Sequence, residues 1–331
     1  MDRQSWKVVI TDLDQGAPVE EKNVLVRGGV DLVYGQAKKE DDVIRVCREA
    51  DGVITQYAQM TRAVLEQLPR CKVIARYGVG VDNIDLKAAS ELGIIVANVP
   101  DYCTEEVADH TLALWLGLIR KTVLYDRKVK SGLWDFREGR PICRLRGKVM
   151  GIIGCGRIGT AVAKRLQAFG VRVVGYDPFV KMAWQGIERT DLDTILRKSD
   201  FISLHCSLNE TSRHLIGEKE FKKMRKKPIL LNTARGPVVH EKALITALQR
   251  GLISGAGIDV METEPPDPNN PLLEMDHVIL SPHVAFYSEQ SLSELKRRVA
   301  EIVLEVLSGK WPRSVVNPEV KGKTRASILD P

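Results

Sequence analysis

Three polar residues in the second half of the chain each follow an apolar run. They are Arg235 in Asn232-Thr233-Ala234-Arg235-Gly236, Glu264 beyond Gly255–Asp259, and His283 in Ser281-Pro282-His283. An imidazole titrates near neutral pH, so His283 could take the proton of an alcohol as hydride leaves its carbon. In the reverse direction it would return that proton to a carbonyl oxygen. Glu264, bonded to the other ring nitrogen, would orient the ring and favour its charged form. Arg235 would hold a carboxylate bidentately and polarise the adjacent carbonyl. Taken singly, each residue has a plainer reading, as a salt-bridge partner, a solvated loop acid or a turn cap. As a set they describe hydride chemistry, provided that the chain also holds a hydride carrier.

The segment Val149–Pro178, VMGIIGCGRIGTAVAKRLQAFGVRVVGYDP, has the form of such a carrier site. The apolar run Val149–Ile153 reads as a buried parallel strand, and Gly154-Cys155-Gly156-Arg157-Ile158-Gly159 turns it into a helix through Phe169. Gly154 permits the tight turn, Gly156 lets backbone approach a pyrophosphate, and Gly159 lets the helix lie close on the strand. The helix start offers N–H groups to phosphates. A second apolar run, Val171–Tyr176, delivers Asp177, eighteen residues after Gly159. A carboxylate there can accept from a ribose diol and would repel a 2′-phosphate; no arginine follows immediately, so NAD is favoured over NADP.

These groups need a scaffold that brings them to one edge. Lys7–Thr11, Val30–Tyr34, Gly52–Thr55, Lys72–Ala75 and Ile94–Ala97 read as strands, with helix candidates such as Glu40–Ala50 and Thr61–Leu68 between them. The second series is Val149–Ile153, Val171–Tyr176, Phe201–Leu204, Ile229–Asn232, Gly255–Asp259 and Val278–Leu280. Alternating strands and helices imply an α/β fold with two doubly wound, Rossmann- or flavodoxin-like parallel sheets. The stretches CKVIARYGVGVDNIDLKAASELGIIVANV and KPILLNTARGPVVHEKALITALQRGLISGAGIDV have the same strand, glycine loop, helix, strand order. Ligands in such sheets sit outside the carboxyl ends of the strands, so a cleft shared by the two domains is expected.

Thr104–Lys130 reads as one long helix, with Thr104 a possible cap and Glu105 and Glu106 in the first turn. Its broad apolar face fits either a subunit contact or burial within the chain. Ser288–Gly309 is amphipathic and is read as returning to the first domain, which makes that domain discontinuous. The expected boundaries are 1–102 plus 290–331 around 103–289. The last segment, Lys321–Pro331, has little to bury and reads as a frayed tail.

At 331 residues, 44% hydrophobic, the chain is long enough for two cored domains. Its six cysteines are scattered without CxxC pairs or zinc spacing, so reduced thiols and no metal are expected. The opening MDRQSWKVVITD lacks the apolar core of a signal peptide, and the longest apolar stretch, Leu112–Ile119, is too short to cross a bilayer. A cytoplasmic protein with no membrane contact is the expectation. The net charge of +6 concentrates in Lys219–Lys227, which suits a helix end before Pro228 and lacks aromatic interleaving, so no nucleic-acid role is read from it.

The motifs GVGVDNID (Gly78–Asp85), GCGRIG, NTARG, GIDVMETEP (Gly257–Pro265) and SPHVAFYSEQS (Ser281–Ser291) together resemble the D-isomer-specific 2-hydroxyacid dehydrogenase family, from the first strand to about Asn317. The resemblance implies a substrate domain completed by the C-terminal helix, an inserted NAD domain, usually a homodimer, and a small 2-hydroxy or 2-oxo acid as substrate. It implies catalytic roles for Arg235, Glu264 and His283. It further implies carboxylate binding by backbone N–H groups around Val79 and Gly80, and cofactor contacts from Thr104, Arg157, Ile158, Asp177, His205, Cys206, Thr211, Thr233, Ala234, Asp259 and His283. Tyr77 is a candidate for shaping the substrate pocket. The segments PHVAFYSEQ and FREGRPICRLRGK are most similar to the C-terminal-binding protein branch, whose animal members act as NAD-responsive corepressors, so an NAD(H)-sensing scaffold is the alternative to an enzyme. With no long disordered C-terminal extension, the enzyme is favoured. Ser207, His240 and Phe286 depart from the residues usual in the family, which are proline, an acid and tryptophan.

Overall fold

Residues 5–180 and 186–328 are described in the computed structural model. The chain divides into two compact units, Met1–Tyr102 with Ser288–Pro331, and Cys103–Tyr287. Both are α/β units built on parallel sheets, the architecture expected from the alternating pattern.

In the first unit the elements run β1 (Lys7–Ile10), α1 (Val19–Arg27), β2 (Asp31–Tyr34), α2 (Glu40–Cys47), β3 (Gly52–Thr55), α3 (Arg62–Glu66), β4 (Val73–Arg76), α4 (Leu86–Glu91) and β5 (Ile95–Ala97). The strand order is β2-β1-β3-β4-β5. Val9, Val53, Ile54, Ile74 and Val96 are fully buried, as strands covered on both faces require. Helix α1 was not anticipated, because it buries only Glu21 and Leu25 and leaves Val19 and Val26 exposed, a face too thin to register as periodic.

The second unit opens with α5 (Thr104–Arg120) and α6 (Thr122–Lys130). The single helix expected here is broken at Lys121, whose φ of 58° is left-handed, and the cap position is Cys103 rather than Thr104. Trp115 of α5 is fully buried, edge-on to Phe169 and Phe201 at 5.4 and 5.5 Å, so the apolar face is consumed inside its own unit. There follow β6 (Val149–Ile153), α7 (Arg157–Gln167), β7 (Arg172–Tyr176), β8 (Glu188–Arg189), α8 (Leu192–Lys198), β9 (Phe201–Leu204), α9 (Glu218–Lys223), β10 (Ile229–Asn232), α10 (Glu241–Gln249), β11 (Gly255–Ile258) and β12 (Val278–Leu280). The sheet order β12-β11-β10-β9-β6-β7-β8 reverses direction at β6 and β9, the switch point where such sheets take ligands.

The chain then re-enters the first unit as α11 (Glu289–Leu307), capped by Ser288, whose hydroxyl accepts from Ser291 N–H. Leu295, Val299, Val303 and Val306 are buried, each stabilising by roughly 1.5–3 kcal/mol relative to exposure. The tail is not frayed as far as it is described. Arg325 N–H donates to the Gly93 carbonyl at 2.8 Å, its guanidinium reaches the Leu68 carbonyl at 2.7 Å, and Ala326 is buried. Residues 329–331 lie outside the described residues.

Candidate active site

One row of paired residues crosses the second unit's sheet. Tyr176 pairs with Ile153, Ile153 with Leu204, Leu204 with Asn232, Asn232 with Ile258, and Ile258 with Leu280. The strands therefore end level, and Asp177, Gly154, His205, Thr233, Asp259 and Ser281 each begin a loop at the same edge. That register brings the proposed cofactor and chemistry residues of this unit together.

The three glycines of the first turn are required for three different reasons. Gly154 has φ 93°, and a Cβ there would come within 2.5 Å of the Cys206 nitrogen. A Cβ on Gly159 would overlap the Gly154 carbonyl, so that glycine seats α7 on the strand. A Cβ on Gly156 would meet nothing within 4 Å, and its φ of −75° suits any residue. Neither backbone strain nor a protein neighbour explains Gly156. Open space beside the first N–H groups of α7 fits a bound pyrophosphate, with exposed Arg157 and half-buried Ile158 at the rim.

Asp177 stands at the end of β7. Oδ2 accepts from Cys155 N–H at 2.9 Å, and Oδ1 from Phe179 and Val180 N–H at 2.9 and 3.0 Å. A carboxylate has about four lone-pair positions, so at least one remains for a ribose hydroxyl. His205 points its ring into the unit, Nε2 lying 2.8 Å from Ser203 Oγ while Nδ1 is buried without a partner. Burial pushes its pKa down to about 3, so the ring is neutral. Burial likewise pushes the Cys206 thiol up to about 11, which keeps it protonated. Thr211 donates its hydroxyl to Asn209 Oδ1, and the hydroxyls of Thr233 and Thr111 meet at 2.9 Å. Thr104 is the first residue of α5, and Ala234 is half-buried beside Arg235.

The chemistry residues follow β10, β11 and β12. His283 has φ 54°, and its N–H donates to the Asp259 carbonyl at 2.8 Å. The Asp259 carboxylate, almost fully buried, accepts from Ser281 Oγ at 2.6 Å and from Val284 and Ala285 N–H at 3.0 Å each. Asp259 thus organises the loop that presents His283. Ser281 spends its one proton on Asp259, so His110 Nε2, 2.8 Å from Ser281 Oγ, must donate to it. Neither His110 nor Ser281 was singled out from sequence. His110 sits in a helix, 171 residues from its partner, with no local pattern to mark it.

His283 Nδ1 lies 2.7 Å from Glu264 Oε2. An ionised carboxylate only accepts, so Nδ1 carries the proton. Partial burial opposes ionisation of Glu264, but the hydrogen bond and charge of His283, the Met261 N–H at 2.9 Å and the Arg235 charge outweigh it. Its carboxyl is held below the usual range. Arg235 is half-buried, with Nη1 on the Ala234 carbonyl at 2.8 Å and its own carbonyl held by Asn232 Nδ2 at 2.9 Å.

In the first unit, Val79 and Gly80 follow β4. The Val79 carbonyl accepts from Asn98 Nδ2 at 2.6 Å, whereas neither the Val79 nor the Gly80 N–H donates to any group among the described residues. Tyr77 turns away from such a role. It is 2% exposed and its hydroxyl donates to Glu21 Oε1 at 2.6 Å, which commits it to the interior of the unit.

Residues 112–285 match the sequence model described as "D-isomer specific 2-hydroxyacid dehydrogenase, NAD binding domain". The chain belongs to the D-isomer-specific 2-hydroxyacid dehydrogenase family. It is 40% identical over 286 residues to a glyoxylate reductase of Korarchaeum cryptofilum, covering 84% of this chain and 86% of that one. It is 39% identical over 336 residues to a D-3-phosphoglycerate dehydrogenase of Methanocaldococcus jannaschii, covering 98% of this chain but only 62% of that longer protein. A D-lactate dehydrogenase of Aquifex aeolicus, solved with NAD and lactic acid, superposes with a TM-score of 0.86 at 30% identity, covering 94% of this chain and 99% of that one. As a 2-hydroxyacid dehydrogenase with an NAD-binding domain, the chain is an oxidoreductase acting on a CH–OH group. These relatives favour the enzyme over the corepressor-like scaffold. No helix among the described residues is long and apolar enough to cross a membrane.

Proposed function

We propose that this family member is an NAD-dependent 2-oxoacid reductase, or D-2-hydroxyacid dehydrogenase in the other direction, and that Arg235, Glu264 and His283 carry its chemistry. The observation that supports this most is the 2.7 Å pairing of His283 Nδ1 with Glu264, within the field of Arg235. When bound, the nicotinamide supplies or takes the hydride at C2 of the acid. His283 Nε2 donates a proton to the carbonyl oxygen during reduction and removes it from the hydroxyl during oxidation. Glu264 holds the ring in one tautomer and stabilises the imidazolium. Arg235 binds the carboxylate and withdraws electron density from the carbonyl. The free N–H groups of Val79 and Gly80 fit the carboxylate-binding role implied by the family.

Gly154, Gly156 and Gly159 would receive the pyrophosphate together with the start of α7, and Asp177 the adenosine ribose, which favours NAD over NADP. Thr104, His205, Cys206, Thr211, Thr233, Ala234 and Asp259 complete the proposed cofactor contacts. Glyoxylate is the first substrate to test, because the glyoxylate reductase relative is matched over 86% of its length and the phosphoglycerate dehydrogenase over only 62%. Leu133, Trp134 and Phe136 are exposed, Trp134 by 87%, and supply an apolar surface for a homodimer. All six cysteines are free, which supports the cytoplasm as compartment.

The test is NADH consumption by the purified protein against a panel of 2-oxo acids, with NADPH and His283→Gln as controls. Turnover with NADH that His283→Gln abolishes supports the assignment. Full turnover in that variant refutes it.

A further inference from the structure

The loop that carries Glu264 is fastened at a second point. Glu262 Oε1 lies 2.7 Å from His214 Nε2, and the Glu262 N–H donates to Glu241 Oε2 at 3.2 Å. The backbone of Met261 and Glu262 rests on Gly236, the residue after Arg235. His214 is itself bound to that same segment. Its N–H donates to the Pro237 carbonyl at 2.7 Å, and Ile216 N–H to Val238 at 3.1 Å. His214 also holds φ 53°, an uncommon conformation for a residue with a side chain, which persists only where the surroundings impose it. One histidine therefore ties the Arg235–Val238 segment to the loop from Met261 to Glu264.

The neighbours of His214 favour its bond to Glu262. His240 packs edge-on at 4.7 Å between ring centroids, but its Nδ1 accepts the Ala243 N–H at 3.2 Å as the cap of α10. Glu241 is occupied by Asn270 Nδ2 at 2.7 Å and by the Glu262 backbone. Glu262, an acceptor only, thus meets His214 Nε2–H without a competing side chain from these groups.

We propose that His214 is a positioning residue for proton transfer: acting through Glu262, it fixes the Glu264 loop and so sets the Glu264–His283 hydrogen bond. This rests on the roles given above to Glu264 and His283. A misplacement near 1 Å in such a constellation costs on the order of a hundredfold in rate. A loosened rather than lost loop should cost about tenfold.

The experiment uses the full chain and the 2-oxo acid that it reduces fastest. It compares kcat against pH, and NADH Kd, for His214→Ala, His214→Gln, Glu264→Gln and the double variant His214→Ala/Glu264→Gln. Expected are a fall of about tenfold in kcat for His214→Ala, a displacement of the His283 limb of the pH profile in the same direction as in Glu264→Gln, and unchanged NADH Kd. His214→Gln, whose amide can still donate to Glu262, should recover most of the rate. The double variant should be no slower than Glu264→Gln alone, because both act through one hydrogen bond. Should His214→Ala fail to fold, Glu262→Ala, which removes the acceptor of the same bond, carries the comparison with His214→Gln as its conservative control. Wild-type rate and pH profile in His214→Ala, or in Glu262→Ala in its place, beside an impaired Glu264→Gln would overturn this inference alone, as would losses that multiply in the double variant. Full turnover in both Glu264→Gln and His283→Gln would overturn the catalytic assignment and this inference with it.

Discussion

The carbonyl of Met261 occupies the space that a Cβ on residue 236 would need, and only because that residue is Gly236 can the Glu264 loop settle against the Arg235 segment. The glycine of NTARG is therefore explained by close approach and not by backbone conformation. Adding one methyl group must push the loop away from Arg235. Overpacking of this kind costs about 1–3 kcal/mol of stability. Gly236→Ala is expected to fold with a lowered Tm and to lose roughly 10–100-fold in kcat/KM for the 2-oxo acid. Equal kinetic constants for Gly236→Ala and wild type would show that the loop does not need this seat.

The Glu264 carboxyl is held below its ordinary pKa, with burial opposed and outweighed by His283, Met261 N–H and Arg235. A depressed folded value means that the pair contributes fully above the unfolded carboxylate pKa and fades only as pH falls through the folded value. At neutral pH the carboxylate is present to favour the imidazolium. Glu264→Gln should therefore move the His283 limb of the kcat profile to lower pH and slow reduction most on the alkaline side, as pH-dependent steady-state rates would record.

Asp177 should govern cofactor choice. Asp177→Ala removes a charge that would repel a 2′-phosphate and also the acceptor of Cys155 N–H at 2.9 Å. The expected result is weaker NADH binding together with improved use of NADPH, read as the ratio of the two kcat/KM values. An unaltered ratio would place cofactor discrimination elsewhere.

His205 gives the second unit a predictable response to acid. Its folded pKa of about 3 lies below that of an unfolded histidine, so its contribution is complete above about pH 6.5 and declines as pH falls toward 3. The slope from this one group is at most about 1.4 kcal/mol per pH unit. Urea denaturation at a series of pH values should show a shallower acid dependence for His205→Asn than for wild type.

The exposed rings of Trp134 and Phe136 are 87% and 68% accessible. If they close a homodimer, Trp134→Ser/Phe136→Ser should halve the mass seen by sedimentation while leaving the cofactor loop intact. A wild type that already sediments as a monomer would remove the dimer from the proposal.

Sequence patterns carried most of the architecture because buried parallel strands are continuous apolar runs. Val149–Ile153, Phe201–Leu204 and Ile229–Asn232 are found at the bounds read from the sequence. What escaped depended on distant partners. The break at Lys121 has no glycine or proline to announce it, and the anchoring of Arg325 to Leu68 spans 257 residues. His283 and Glu264 were legible as a pair because both follow neighbouring strands. Their supports were not, since His110–Ser281 and His214–Glu262 join residues 171 and 48 positions apart. Tyr77 looked available beside a glycine loop, and its fate was decided by Glu21, 56 residues away.

The level ending of the strands has an evolutionary consequence. Loops after β6, β7 and β9 carry most of the proposed nucleotide contacts, whereas those after β10, β11 and β12 carry Arg235, Glu264 and His283, with Thr233, Ala234 and Asp259 as the proposed nucleotide contacts on that side. Because each loop hangs from its own strand end, one set can drift in length and composition while the sheet holds the other in register. A lineage built on this edge can trade one coenzyme for another without rebuilding its acid and base, or acquire a new acid substrate without relearning how to hold a nucleotide.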